Sequence, residues 1–183
     1  MRDLSLHLVD LIENSCRAQA AVISVSLEVS SREGLVTIRI EDDGPGFSAP
    51  PDVVLDPFYT TKSGKRTGLG LSLFQSAAER AGGGMTVGRS PLGGALVEAR
   101  LQLSHPDRAP LGDLAATFAT MAATNPDRDL RLRLVSEKGE FRVSTRQVAD
   151  GLLGGRAGPV AVAREVSKLV RAGTERLWPD GMW

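Results

Sequence analysis

Four short clusters of polar residues and glycines occur in order between Asp10 and Ser72. In the first, Asp10, Asn14 and Arg17 are spaced i, i+4, i+7, so on a helix they share one face. A carboxylate there can act as a base, a carboxamide as a metal ligand and a guanidinium as a phosphate clamp. Magnesium takes oxygen ligands and keeps several waters, so one carboxamide oxygen plus phosphate oxygens is an ordinary site. Alone, the trio also suits the polar outer face of an amphipathic helix. The second cluster is Glu41-Asp42-Asp43-Gly44-Pro45-Gly46. Asp42 has the parity of Val36, Ile38 and Ile40, so a continuing strand turns it toward the core. A buried carboxylate is costly without a partner. The exocyclic amine of adenine is a suitable donor, and Gly44 and Gly46 let backbone approach a flat base. An acidic β-turn uses the same residue types.

The third cluster, Asp56-Pro57-Phe58-Tyr59-Thr60-Thr61-Lys62, puts hydroxyls and an ammonium on a loop that could follow a triphosphate. It reads equally as an exposed loop anchored by Phe58 and Tyr59. The fourth, Thr67-Gly68-Leu69-Gly70-Leu71-Ser72, falls at a helix start, where free amides and absent side chains favour phosphate. No Walker A pattern occurs. By itself the Gly-Leu-Gly is also a packing device.

The elements that must hold these clusters follow from periodicity. A helix over about 3–18 has Leu4, Leu8, Leu11 and Ser15 on one stripe, opposite the polar trio. Strict alternation predicts strands over 22–29 and through Val36, Ile38 and Ile40, joined by a turn over 31–34. Glycines and prolines break regular structure after Glu41, and 56–67 reads as a loop. A second helix runs from near Thr67 to the Gly82-Gly83-Gly84 stop, followed by strands over 85–90 and 95–103. Two helices and four strands predict a two-layer α/β sandwich over 1–104. After His105-Pro106 the pattern restarts as an α+β extension over 105–183. Leu111, Leu114, Phe118 and Met121 mark a helix, and 129–136 with 140–146 a hairpin around Glu137-Lys138-Gly139. Val162, Val166, Leu169 and Val170 mark a last helix over 159–177. The extension reads either as an αββα appendage packed on the first unit or as a separate small domain.

The ordered clusters resemble the N, G1, F and G2 boxes of the GHKL superfamily, which holds gyrases, a heat-shock chaperone, histidine kinases and mismatch-repair ATPases. The resemblance covers about 3–103. The Asp56–Lys62 segment followed by Thr67–Ser72 is most similar to the histidine-kinase catalytic domain, with its Bergerat-type ATP-binding fold. Glu13-Asn14-Ser15 after Leu11-Ile12 also resembles the mismatch-repair branch. The resemblance implies ATP and magnesium as cofactors. It implies that Asn14 binds the metal, Asp42 recognises adenine, and Gly44 and Gly46 lie beneath the base. It places Thr61, Lys62, Thr67, Gly68, Leu69, Gly70 and Leu71 around the phosphates and lid, and Arg17 against phosphate. Asp10 takes the position of a water-activating glutamate, one methylene shorter. Arg66 stands for a usual glycine, Asp43 for a frequent asparagine, and Ala95 for a usual threonine near adenine.

Composition narrows the function classes. The formal net charge is zero, which argues against nucleic acid or an anionic membrane as partner. Aromatics are 4% of the chain, too few for base-stacking platforms. Cys16 is the only cysteine, so neither an intrachain disulfide nor a cysteine zinc site is expected. No apolar run approaches the ~20 residues of a membrane helix, and the first residues have no signal-peptide block, so a cytoplasmic protein is expected. Six residues precede His7 in this sequence, so a dimerisation helix pair with a phosphoacceptor histidine is not expected within it. His7, one turn before Asp10, could line the pocket but is expected in a surface or capping role, His105 at the junction in a structural one, and Cys16 as a small apolar filler. Trp178 and Trp183 could anchor a partner or pack on the chain's own surface. The leading expectation is an ATP-binding module acting by phosphoryl transfer or slow hydrolysis on a partner protein of unknown identity. Alternatives are a non-catalytic nucleotide sensor docking through 105–183, and an ATP-gated clamp that forms a homodimer.

Overall fold

The computed structural model describes residues 3–56 and 69–179. Helix α1 (Leu4–Arg17) opens on Asp3, whose carboxylate accepts from the Leu6 amide at 3.0 Å. Two more of its first amides, those of Leu4 and Ser5, donate to the carbonyls of Pro110 and Leu111. The orphan donors of the helix start are thus met by the second half of the chain. Leu4, Leu8, Leu11 and Ile12 are buried, which fixes the opposite, polar face.

Strands β1 (Val22–Ser30) and β2 (Leu35–Asp42) pair antiparallel, Ile23 facing Asp42. The break after Asp42 holds a short helix α2 (Pro51–Val54), which sequence periodicity is too brief to show. Helix α3 (Leu69–Arg80) ends before Gly82, whose φ of 70° suits a left-handed cap. Strands β3 (Gly84–Arg89) and β4 (Ala95–Gln102) complete the expected four-stranded set.

The second half builds on the same sheet. Helix α4 (Leu114–Thr124) leads into β5 (Asp129–Ser136), which pairs parallel with β1, and β6 (Gly139–Ser144) pairs antiparallel with β5. The sheet order is β3-β4-β2-β1-β5-β6. Strand β6 is shorter than the hairpin expected from alternation. Ser144 caps helix α5 (Thr145–Gly151) by accepting from the Gln147 amide, so 145 and 146 are helical. Helix α6 (Pro159–Leu177) closes the structure, with Val162, Val166 and Val170 buried.

One continuous core joins both halves, from Leu4, Phe74 and Leu101 to Phe118, Leu132 and Val170. Its parity leaves the opposite sheet face to charged side chains, including the cross-strand pair Arg39 and Glu98. The hydrogen bonds from Arg39 raise its own pKa and lower that of Glu98. The result is a two-layer α/β sandwich, helices on one face of a mixed sheet. Trp178 is buried at the end of α6 and packs on the chain's own core. Cys16 is half-buried against that core, where burial pushes its thiol pKa up. His105 turns the chain, its Nδ1 accepting from the Asp107 amide at 3.1 Å. No helix among the described residues is long and apolar enough to cross a membrane.

Candidate nucleotide-binding site

Asp42 ends β2 with its side chain buried, at 4% exposure. Three donors satisfy it. The Ser15 hydroxyl donates to Oδ2 at 2.6 Å, and the Gly44 and Ala95 amides donate to Oδ1 at 3.0 and 2.9 Å. An ionised carboxylate offers about four lone-pair positions. Among the described residues these bonds fill both on Oδ1 and one on Oδ2, leaving one acceptor direction for a further donor. That is the requirement of an amine on a base.

Small residues make this arrangement feasible. Gly94 is buried against it, with its amide donating to the Asp42 carbonyl at 3.0 Å. A Cβ on Gly94 would run into Asp42 Oδ1 and stand 2.5 Å from the Gly44 nitrogen. Gly46 has φ 80° and faces the Gly94 carbonyl, where a Cβ would lie at 3.4 Å. Gly44 packs against the α1–β1 turn, a Cβ there lying 3.3 Å from the Ala18 carbonyl oxygen. Asp43 points elsewhere: its Oδ1 accepts from the Ala21 and Val22 amides at 2.7 and 2.9 Å.

The other end of the site lies between α1 and α3. A Cβ on Gly70 would be 3.5 Å from Asp10 Cβ, 3.7 Å from Asp10 Oδ2 and 3.8 Å from Asn14 Nδ2. The start of α3 therefore faces Asp10 and Asn14, both half-buried. Arg17 is exposed and donates to Asn14 Oδ1 at 2.9 Å and to Glu13. Leu69 opens α3, and Leu71 packs against the core edge. Thr61, Lys62, Thr67 and Gly68 lie outside the described residues.

His7 differs from its expected surface or capping role. It is buried one turn before Asp10 and packs on Phe74 of α3, ring centroids 5.1 Å apart. Burial, then the positive charges of the N-terminus and Arg80, lower its pKa to about 4. Its Nδ1 is buried without a hydrogen-bond partner among the described residues.

Sequence reasoning brought Asp10, Asn14 and Gly70 to one locus, and Asp42, Gly44 and Gly46 to another. It missed Ser15, which the helix stripe presented as a core position, and Gly94, hidden in an ordinary glycine turn. Ala95 stands where the resemblance places a threonine near adenine, and it is the main-chain amide of that residue that touches Asp42. The parity of Asp42 was the available signal, since a buried carboxylate requires donors from its neighbours.

Residues 2–105 match the family model described as histidine kinase-, DNA gyrase B-, and HSP90-like ATPase. The chain belongs to that family and carries its ATP-binding domain. The sensor protein kinase CarS of Pseudomonas aeruginosa is 36% identical over 113 residues, covering 58% of this chain and 24% of CarS. The sensor histidine kinase CpxA of Escherichia coli is 35% identical over 98 residues, covering 50% of this chain and 21% of CpxA. The chain thus spans about a quarter or less of these curated relatives. A solved N-terminal domain of a DNA repair protein superposes with a TM-score of 0.50 at 16% identity, covering 79% of this chain and 52% of that one. That likeness concerns the fold.

Proposed function

We propose that the chain binds ATP with magnesium and uses it, by phosphoryl transfer or slow hydrolysis, to act on or report to a partner protein. The observation carrying this reading is the two-ended site: an adenine-competent buried Asp42 at one end, and Asp10 with Asn14 facing the start of α3 at the other. The donor set fits the metal, because Asn14 offers a carboxamide oxygen of the kind magnesium accepts. That oxygen accepts one hydrogen bond from Arg17, and its second lone pair would be the one to ligate the metal. Magnesium, when bound, supplies charge neutralisation on the phosphates. Asp10 takes the proton of the attacking water or hydroxyl. The buried Asp42 and its glycine cradle hold the base and orient the rest.

Incubation with γ-labelled ATP and magnesium tests this. Phosphate release, or label on protein, is expected in the wild type and lost in Asn14→Ala. Asp10→Asn is expected to slow either product by roughly 100-fold or more while nucleotide still binds. Binding without either product in the wild type contradicts the catalytic reading. It then favours the second one, a nucleotide sensor docking a partner through 105–183. The pairing of β5 beside β1, next to the base end of the site, supports that alternative.

A further inference from the structure

We infer that Arg128, in the second half of the chain, is a positioning residue of the base-binding end, so that residues 105–183 set nucleotide affinity. The inference rests on the nucleotide-binding reading above and adds a regulator to it. The intermediary is the α1–β1 turn. Gln19 sits there at φ 62°, the one non-glycine residue with positive φ among the described residues. A side chain in that region carries a conformational cost, and something must hold it.

Arg128 does so. Its Nη1 donates to the carbonyls of Gln19 at 3.2 Å and Ala20 at 2.7 Å, and its Nη2 to Gln19 Oε1 at 3.2 Å. A guanidinium fork is suited to gripping several oxygens at once. Arg128 is itself held from the second half. The Thr145 hydroxyl, at the start of α5, donates to the Arg128 carbonyl at 3.1 Å and accepts from the Leu130 amide at 3.0 Å. The Asp129 amide donates to the Ala21 carbonyl at 2.9 Å. Burial pushes the Asp129 carboxyl up, but hydrogen bonds from Ser144, Arg131 and the Arg146 amide outweigh it and lower its pKa below the usual value. The strand start is therefore pinned by three hydrogen bonds to the Asp129 carboxylate.

On its other side the same turn forms the base end. The Ala18 carbonyl oxygen and Ala20 Cβ back Gly44, where a Cβ would lie at 3.3 and 3.6 Å. The Ala20 amide donates to the carbonyl of Ser15, whose hydroxyl donates to Asp42. A shift of the turn moves Gly44 and Ser15 together, hence two of the three donors that aim Asp42. The side chains of Asp10 and Asn14 and all of Gly70 stand outside this chain of contacts; Asn14 joins it only through its main-chain carbonyl, which accepts from the Ala18 amide at 2.9 Å as the last turn of α1. The effect therefore falls on the base and is indifferent to the number of phosphates.

The test is titration calorimetry of ATP and ADP, each with magnesium, into wild type, Arg128→Ala, Arg128→Lys and Arg133→Ala. It is run at a temperature where circular dichroism shows each variant folded. Arg133 lies on the same strand but pairs with Glu140, away from the turn. Arg128→Ala is expected to weaken ATP and ADP by the same factor, roughly tenfold, the worth of one charge-assisted hydrogen bond. Arg128→Lys recovers part of the loss, and Arg133→Ala stays within about twofold of wild type. If Arg128→Ala does not fold, Arg128→Lys carries the test with an expected loss of roughly threefold. Wild-type affinity in the Arg128 variants, or a loss for ATP but not ADP, overturns the inference while leaving nucleotide binding intact. Failure of the wild type to bind either nucleotide overturns the reading on which it rests.

Discussion

The two ends of the site are built by different means. At the base end, main-chain amides and a buried hydroxyl converge on one carboxylate, and glycines are packed until no further atom fits. At the phosphate end, half-buried and exposed side chains pair with one another, and a Cβ on Gly70 would meet Asp10 and Asn14 only at ordinary van der Waals distances. The first is fixed by main-chain bonds and close glycine packing. The second rests on side-chain pairs, Arg17 with Asn14 and with Glu13. On the proposed function, a main-chain-built base end and a side-chain-built phosphate end would suit a domain whose nucleotide changes from ATP to ADP.

The comparison breaks most readily at Gly94. Alanine there would drive a methyl group into Asp42 and against backbone atoms that cannot yield. Gly94→Ala is expected to weaken nucleotide binding by roughly 100-fold or more and to lower stability by about 1–3 kcal/mol. Denaturant melts and calorimetry on the same sample check both. Near-normal binding in that variant would mean that the base socket is loose.

A second test concerns the support beneath the phosphate end, where His7 of α1 packs on Phe74 of α3. Its pKa is lowered to about 4 in the folded state, first by burial, against an ordinary 6.5. Between those values the unfolded chain binds the extra proton, so stability rises with pH across this window. The contribution is complete above about 6.5 and is lost as pH falls toward 4. Roughly 2–3 kcal/mol should disappear over that interval, and His7→Gln should flatten the slope. Equal pH slopes in the two proteins would remove His7 from this account.

The smallest expected effect sharpens the contrast most. A Cβ on Gly70 meets only ordinary van der Waals contacts. Gly70→Ala should therefore keep the fold, and a better helix former in α3 should add up to about 1 kcal/mol of stability, read as a higher melting point. Destabilisation by that substitution, comparable with Gly94→Ala, would erase the difference between the two ends.

How far these features could be read from the sequence follows the same division. Alternation in β2 predicts the inward turn of Asp42, and helical spacing puts Asp10 and Asn14 on one face; local periodicity suffices for both. Ser15 was invisible as a site residue because a small hydroxyl on a leucine stripe is compatible with plain packing. Gly94 and Arg128 lie 52 and 86 positions beyond Asp42, and only strand pairing brings them back to it. The merger of β5 and β6 into the first sheet was hidden for the same reason: a parallel pairing between β1 and β5 leaves no local signature. The start of α5 was misread because Thr145 and Arg146 continue an alternating pattern, while the cap supplied by Ser144 decides the local structure.

The central claim is that Asp42 is the base-recognising group of an adenine-nucleotide site, and titration of ADP into wild type and Asp42→Asn tests it directly. The carboxamide can keep its oxygen toward the Gly44 and Ala95 amides, which preserves the fold. Its NH2 then replaces the open acceptor with a donor. The account predicts a folded variant whose ADP affinity has fallen by roughly 100-fold. A folded Asp42→Asn protein that binds ADP as tightly as the wild type would contradict it.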